Sequence, residues 1–264
     1  MKKRRKSPWA PLYLTLVLIL LYLPIVVVVL YSFNANASRY PNEFTGFSLQ
    51  YYKALFKDTK GLLAALKTSL ILAVGSCGIS MVIGTLGAVG MVRRKFRGQG
   101  AIETLSLLPI MVPEIILGMA FLAVFTAVGL RFGMLTLMLA HVTFCTPYIY
   151  IIVKGRLAGM DPSLAEASRD LGASPARTFF EITLPLIMPG ILSGVMLAFA
   201  MSLDDFVISF FVTGATTTTL PLKIYSSVKT GVSLQVNALC TLILVFVAVV
   251  MAVKTLVVDR KNNQ

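Results

Sequence analysis

Six mostly apolar runs, each near the 20 residues that cross a bilayer as a helix, constrain this chain before any motif does. They are Leu12–Phe33, Ser69–Val92, Thr104–Thr126, Met134–Val153, Ile187–Val212 and Ala238–Val258. Together they leave no stretch for a second, soluble domain. Only 13% of the 264 residues are charged and mean hydropathy is +0.84, where an ordinary globular domain carries about 25% charge. The expectation is an all-α polytopic membrane protein with six transmembrane helices, a single domain over residues 1–264.

The formal net charge is +13, a balance that in a soluble chain points to nucleic acid. Its placement argues for topology instead. With the N-terminus inside, sixteen of the 24 Lys and Arg residues fall on the inner side and eight on the outer. The inner set includes Lys2, Lys3, Arg4, Arg5, Lys6, Arg93, Arg94, Lys95, Arg97, Lys154, Arg156, Arg169, Arg177, Lys254, Arg260 and Lys261; the outer set includes Arg39, Lys53, Lys57, Lys60, Lys67, Arg131, Lys223 and Lys229. Such a bias orients membrane proteins, so both termini are expected in the cytoplasm, with no nucleic-acid partner.

Cys77, Cys145 and Cys240 fall in different spans without metal-ligand spacing, and read as small buried residues. His141 is the single histidine; it reads as a core or polar-lining group and no metal site is expected. "MKKRRK", an apolar run and "ANA" at Ala35–Ala37 resemble a secretory signal. The apolar run is longer than a signal core of about 7–15 residues, which favours an uncleaved first helix.

In the long outer loop Asn34–Thr68, Leu49, Tyr52, Leu55 and Phe56 recur at near-helical spacing. They predict an amphipathic helix at the membrane interface or across the outer ends of the bundle, with Tyr51 and Tyr52 in the headgroup zone. Gly75, Gly78, Gly84, Gly87 and Gly90 in the second span predict close helix approach. The third span holds "LPIMVPEIILG", in which Pro109 and Pro113 remove backbone donors and Glu114 follows directly. A helix so interrupted is buried or lines a cavity. The loop Gly159–Pro185 predicts two short helices about a Gly turn. Asp161 or a Ser163/Glu166 capping box starts the first, Gly172 ends it, Ser174 and Pro175 start the second, and Pro185 stops it.

That loop carries a resemblance. Glu166-Ala167-Ser168, three residues, Gly172, nine residues and Ile182-Thr183-Leu184-Pro185 is similar to the EAA loop of binding-protein-dependent ABC importer permeases, with Ser168 in place of the second alanine. "FSLQYYKALF", "LPIMVPEIILG" and "MSLDDFVISFF" extend the resemblance over essentially the whole chain, and are most similar to the polyamine branch, the second permease subunit of a spermidine/putrescine importer. The resemblance implies a type I ABC importer permease architecture in the inner membrane. It implies a sibling permease, an ATPase dimer that holds the ATP and Mg, a periplasmic substrate-binding protein and a polyamine substrate. It implies a coupling helix with Glu166, Ala167, Ser168, Asp170, Gly172 and Ala173 at or near the ATPase. The chain has no G-x-x-x-x-G-K-[ST] motif, so no cofactor and no catalytic residue are expected on it.

Intramembrane acids mark pathways or buried networks. On a regular helix Asp204 and Asp205 point about 100° apart. Asp205 shares a polar stripe with Ser202, Ser209 and Thr213, which makes it the first choice for substrate contact. Asp204 shares its face with Leu197, Met201, Ile208 and Phe211, and holds a neighbouring helix, caps a break, or joins the site where the helix unwinds. Glu114, Tyr148, Phe206 and Phe210 complete the expected path, because a polyamine needs separated carboxylates with apolar or aromatic walls. A structural contact to the sibling is the competing reading for these acids. The rival functions are a permease for another cationic or small polar solute, a proton-coupled carrier using the three acids as a relay, and a cation channel.

Overall fold

The computed structural model describes residues 9–36, 43–58, 61–93, 96–229, 231 and 233–262. Lys2, Lys3, Arg4, Arg5, Lys6, Ala37, Arg39, Lys60, Arg94 and Lys95 lie outside the described residues, as do the side chains of Arg93, Lys254, Arg260 and Lys261. The described chain is helical, with one isolated antiparallel bridge between Asn34 and Phe47. The helices are α1 (Trp9–Ser32), α2 (Gln50–Lys57), α3 (Leu62–Arg93), α4 (Gln99–Met111), α5 (Glu114–Ala127), α6 (Met134–Ala158), α7 (Ser163–Asp170), α8 (Pro175–Thr178), α9 (Leu184–Asp204), α10 (Val207–Val212), α11 (Leu220–Lys229) and α12 (Leu234–Asn262). Five of the described helical segments are long and apolar enough to cross a membrane, and six when α4 and α5 count as one bent span. By residue contacts the chain divides into two compact units, Met1–Ala64 with Ile224–Gln264, and Ala65–Lys223.

In the first unit, α1 is apolar all round and its spanning stretch is exposed, as expected of a helix that meets lipid or another subunit. The following loop is ordered by Asn34, which is fully buried. Its amide donates to the Glu43 carbonyl at 2.9 Å and accepts from the Thr45 amide at 3.0 Å. The amphipathic segment forms α2 with Leu55 buried and Phe56 exposed. Tyr52 meets the Ser32 hydroxyl at 2.7 Å and Tyr51 donates to the Asn36 carbonyl. Tyr52 therefore ties α2 to the end of α1, and Tyr51 ties it to the loop that follows.

The second unit holds the core, built on α6 and α9. Two glycines of α9 set their approach. A Cβ on Gly194 would stand 3.1 Å from Ile149 Cα, and one on Gly190 3.0 Å from Arg156 Cβ. Of the glycines in α3, Gly75 and Gly84 serve the close approach predicted: a Cβ on Gly75 would stand 2.7 Å from Met138 Cε, and one on Gly84 3.1 Å from Ile149 Cβ. Gly78 and Gly90 face open space. Cys77 and Cys145 are buried, Cys240 is half-buried, and all three are free thiols.

Two spans depart from regular helices. The α4–α5 pair bends by 110°. Pro109 stays inside α4, and the break comes at Pro113. Val112 before it is extended at φ −84°, ψ 133°, the conformation forced on a residue that precedes proline. The second break follows Asp204, so the regular helix expected through Val212 is corrected: Asp205 is extended at φ −63°, ψ 117° and α10 starts afresh. Pro185 also differs from expectation. It does not stop the second loop helix, because a π-helical turn over Phe179–Thr183 links α8 to α9. Pro185 then lies in the first turn of α9.

Candidate functional site: two helix breaks and a coupling loop

The break after α9 is made by a carboxylate. Asp205 Oδ1 accepts from Ile208 N at 3.1 Å and Oδ2 from Ser209 N at 2.8 Å. Aspartate competes for backbone N–H groups in this way, which makes it a cap and a poor mid-helix residue. His141, on α6 and fully buried, completes the arrangement. Its Nε2 lies 3.4 Å from Asp205 Oδ2 and 3.1 Å from Ser209 Oγ, and its Nδ1 lies 2.8 Å from Ser202 Oγ. Ser202 Oγ also meets Ser76 Oγ of α3 at 3.4 Å. A neutral ring protonated on Nε2 fits all of these: the N–H faces the carboxylate, and Nδ1 accepts from the Ser202 hydroxyl. Removing one partner from such a buried network leaves a polar group unsatisfied, at a cost of about 1–3 kcal/mol.

The expected polar stripe is therefore turned inward. Ser202 and Ser209 are buried within this subunit, and the Asp205 side chain is only 5% exposed. Asp204, the last residue of α9, is exposed. It stands where the helix leaves its final carbonyls without intrahelical partners, at the negative end of the helix dipole. Glu114 is the first residue of α5 and is also exposed, but the positive end of the helix dipole partly offsets its charge. Tyr148 is half-buried and within electrostatic range of Glu114. Phe206 is half-buried in the break, and Phe210 is exposed with its ring 5.8 Å from that of Phe206. The helices that follow the two breaks pack together, α10 along α5 with Phe211 over Gly118.

The loop between α6 and α9 holds the predicted pair of short helices. Asp161 Oδ1 accepts from Ser163 N at 2.9 Å, and the hydrogen bond holds the Asp161 carboxyl below the usual carboxylate range. No Ser163/Glu166 capping box forms: α7 carries no side-chain cap, because Asp161 already occupies the Ser163 amide. Gly172 is left-handed at φ +83°. Bonds from Ala173 N to Ser168 O at 3.1 Å and from Gly172 N to Arg169 O at 2.8 Å close the helix in the Schellman pattern. Ser174 caps α8 through Arg177 N, and Ser168 Oγ meets Thr178 Oγ1 at 3.1 Å. Glu166, Ala167, Asp170 and Gly172 are exposed, while Ser168 and Ala173 are half-buried. Leu171, which the motif does not single out, is 90% exposed at the tip. One exposed leucine is not by itself a contact surface; its signal in the sequence is an apolar residue directly before the Gly turn.

Residues 78–263 match the family described as binding-protein-dependent transport system inner membrane component. The putrescine transport system permease protein PotI of Escherichia coli (strain K12) is 40% identical over 266 residues, covering 98% of this chain and 94% of the relative. The spermidine/putrescine transport system permease protein PotC of Haemophilus influenzae is 40% identical over 228 residues, covering 86% of this chain and 88% of the relative. Among solved structures, a bacterial ABC transporter involved in the import of the acidic polysaccharide alginate shares the fold, with a TM-score of 0.71 and 14% identity over 98% of both chains. The chain belongs to the family of binding-protein-dependent transport system inner membrane components.

Proposed function

We propose that this chain is one of two permease subunits of an ATP-driven importer of polyamines. The observation that carries the reading is the pairing of an exposed coupling-type loop with two helix breaks that hold out Asp204 and Glu114 and whose following helices, α10 and α5, pack together. The nearly full-length similarity to putrescine and spermidine/putrescine permeases supports the choice of substrate.

The chemistry is suited to such a cargo. A polyamine is a string of methylenes punctuated by ammonium groups. It is held by separated carboxylates with aromatic walls, which add cation–π attraction. Asp204, Glu114, Tyr148, Phe206 and Phe210 provide these. Asp205, Ser202 and Ser209 stand behind them. Broken membrane helices with free carbonyl ends are where transporters coordinate cations.

A separate ATPase dimer docks on Glu166, Ala167, Ser168, Asp170, Gly172 and Ala173, with Leu171 as the apolar contact. ATP and Mg belong to that partner. The π-helical turn joins the loop to α9 in one continuous run, so movement of the loop is delivered to the end of the helix at Asp204. A sibling permease supplies the other wall of the path, and a periplasmic binding protein brings the cargo. The chain lies in the inner membrane with both termini cytoplasmic, as its Lys/Arg bias indicates.

The test is reconstitution with the sibling and ATPase in proteoliposomes, with binding protein and labelled putrescine on one side and ATP on the other. Uptake that requires ATP hydrolysis and the binding protein, and survives an uncoupler, is expected. Uptake that collapses with the proton gradient and ignores ATP contradicts the reading and favours the carrier.

A further inference from the structure

A six-residue helix does not hold itself together, so the position of α10 is set by what grips it. Its start is capped by both oxygens of Asp205. Its last carbonyl, Val212 O, accepts from Thr136 Oγ1 of α6 at 2.7 Å. Across the break, one imidazole touches every part. His141 reaches Ser202 on α9, Asp205 in the break and Ser209 on α10.

We propose that His141 and Asp205 act as a positioning pair: they hold the α9–α10 break in one geometry, and so fix where Asp204 and Phe206 stand, without themselves touching the transported cation. Substrate contact by Asp205 would need its carboxylate to be free. Both oxygens already accept backbone N–H groups, His141 faces one of them, and the side chain is 5% exposed. With the side chain 5% exposed, an ammonium could reach it only by opening the packing around the break. The adjacent Asp204 is exposed. The pair thus separates two neighbouring aspartates into one that builds the site and one that faces it. This inference rests on the polyamine-import reading for what passes through the site, and not for the break itself.

The variants separate positioning from contact. Asp205→Asn keeps an amide oxygen that can cap α10 and removes the charge; Asp205→Ala removes both. His141→Gln keeps an amide that can donate across the break; His141→Ala keeps nothing. In the assembled transporter, Asp205→Asn and His141→Gln are expected to leave KM for putrescine within about twofold and to lower the maximal rate only a fewfold. The two alanine variants, at equal membrane levels, should lower the rate by about tenfold or more. A rise in KM of about tenfold for Asp205→Asn, with the maximal rate kept, is the signature of lost substrate contact and overturns the proposal.

A second readout needs no polyamine. Asp204→Cys is labelled in membranes with a cationic methanethiosulfonate, with the parent transporter as blank. Adding His141→Ala should change the labelling rate by about fivefold or more, as expected when a buried hydrogen-bond partner is lost; adding His141→Gln should restore much of it. An unchanged rate with His141→Ala overturns the positioning role. Because this assay is independent of cargo, it remains decisive if putrescine proves not to be transported.

Discussion

A Cβ placed on Gly118 of α5 would stand 2.6 Å from Phe211 Cδ2 of α10, so these two residues fix how closely α5 and α10 approach. Replacing Gly118 by valine forces the ring or the helix aside. The expected cost is about 1–3 kcal/mol, as for other overpacked sites. Thermal unfolding of the purified complex measures it. The double variant with Phe211→Ala should recover part of the loss, because residues in contact are not additive. A valine variant as stable as the parent would show that α5 and α10 do not meet here.

Gly172 offers a different kind of constraint. A Cβ there meets nothing within 4 Å, yet φ is +83°. Gly172→Ala therefore acts through the backbone alone, at about 1–2 kcal/mol for a left-handed L-residue. Gly172→Asn should be milder, since asparagine tolerates that region. The readout is putrescine-stimulated ATP hydrolysis by the assembled transporter, which should fall further with alanine than with asparagine.

The Asp161 cap predicts a pH dependence with a defined sign. Its carboxyl lies below the ordinary 3.8 because the ionised form accepts the Ser163 amide. A depressed pKa adds stability that is fully present above 3.8 and is lost as pH falls through the lowered folded value. The Ser163 amide should therefore be equally protected from hydrogen exchange, after correction for intrinsic rates, from neutral pH down to the mild acid range. Protection should weaken only in stronger acid. Asp161→Asn should remove that acid step while keeping the turn. A loss of protection at mild acid pH would count against this cap.

Lys154, near the end of α6, pairs with Glu103 of α4, and their side chains are 36% and 27% exposed. Partly exposed pairs contribute about 0–1 kcal/mol. Glu103→Gln or Lys154→Met should accordingly change the unfolding midpoint only slightly, and exchanging the two charges should be nearly neutral. A loss well beyond that range would show that the pair is buried in the assembled transporter.

What could be read in advance follows from how local each cause is. The spans were legible because hydropathy is a property of each segment alone. The coupling loop was legible because its caps and Gly turn sit within a few residues of one another, and Pro113 announced the first break for the same reason. The second break carries no proline or glycine. It depends on His141, which sits in a different helix and shows no spacing pattern, so helical periodicity alone places Asp205 on a polar stripe and shows no partner for His141. Pro185 misled in the opposite direction: a π-helical turn, invisible to composition, placed it at a helix start.

The most direct test of the central claim is labelled putrescine uptake in cells that lack this chain but retain the sibling permease, ATPase and binding protein. Restored, saturable uptake on complementation, abolished by Asp204→Asn at equal membrane expression, is the predicted result. Complementation that restores no polyamine uptake with all partners present would contradict the account.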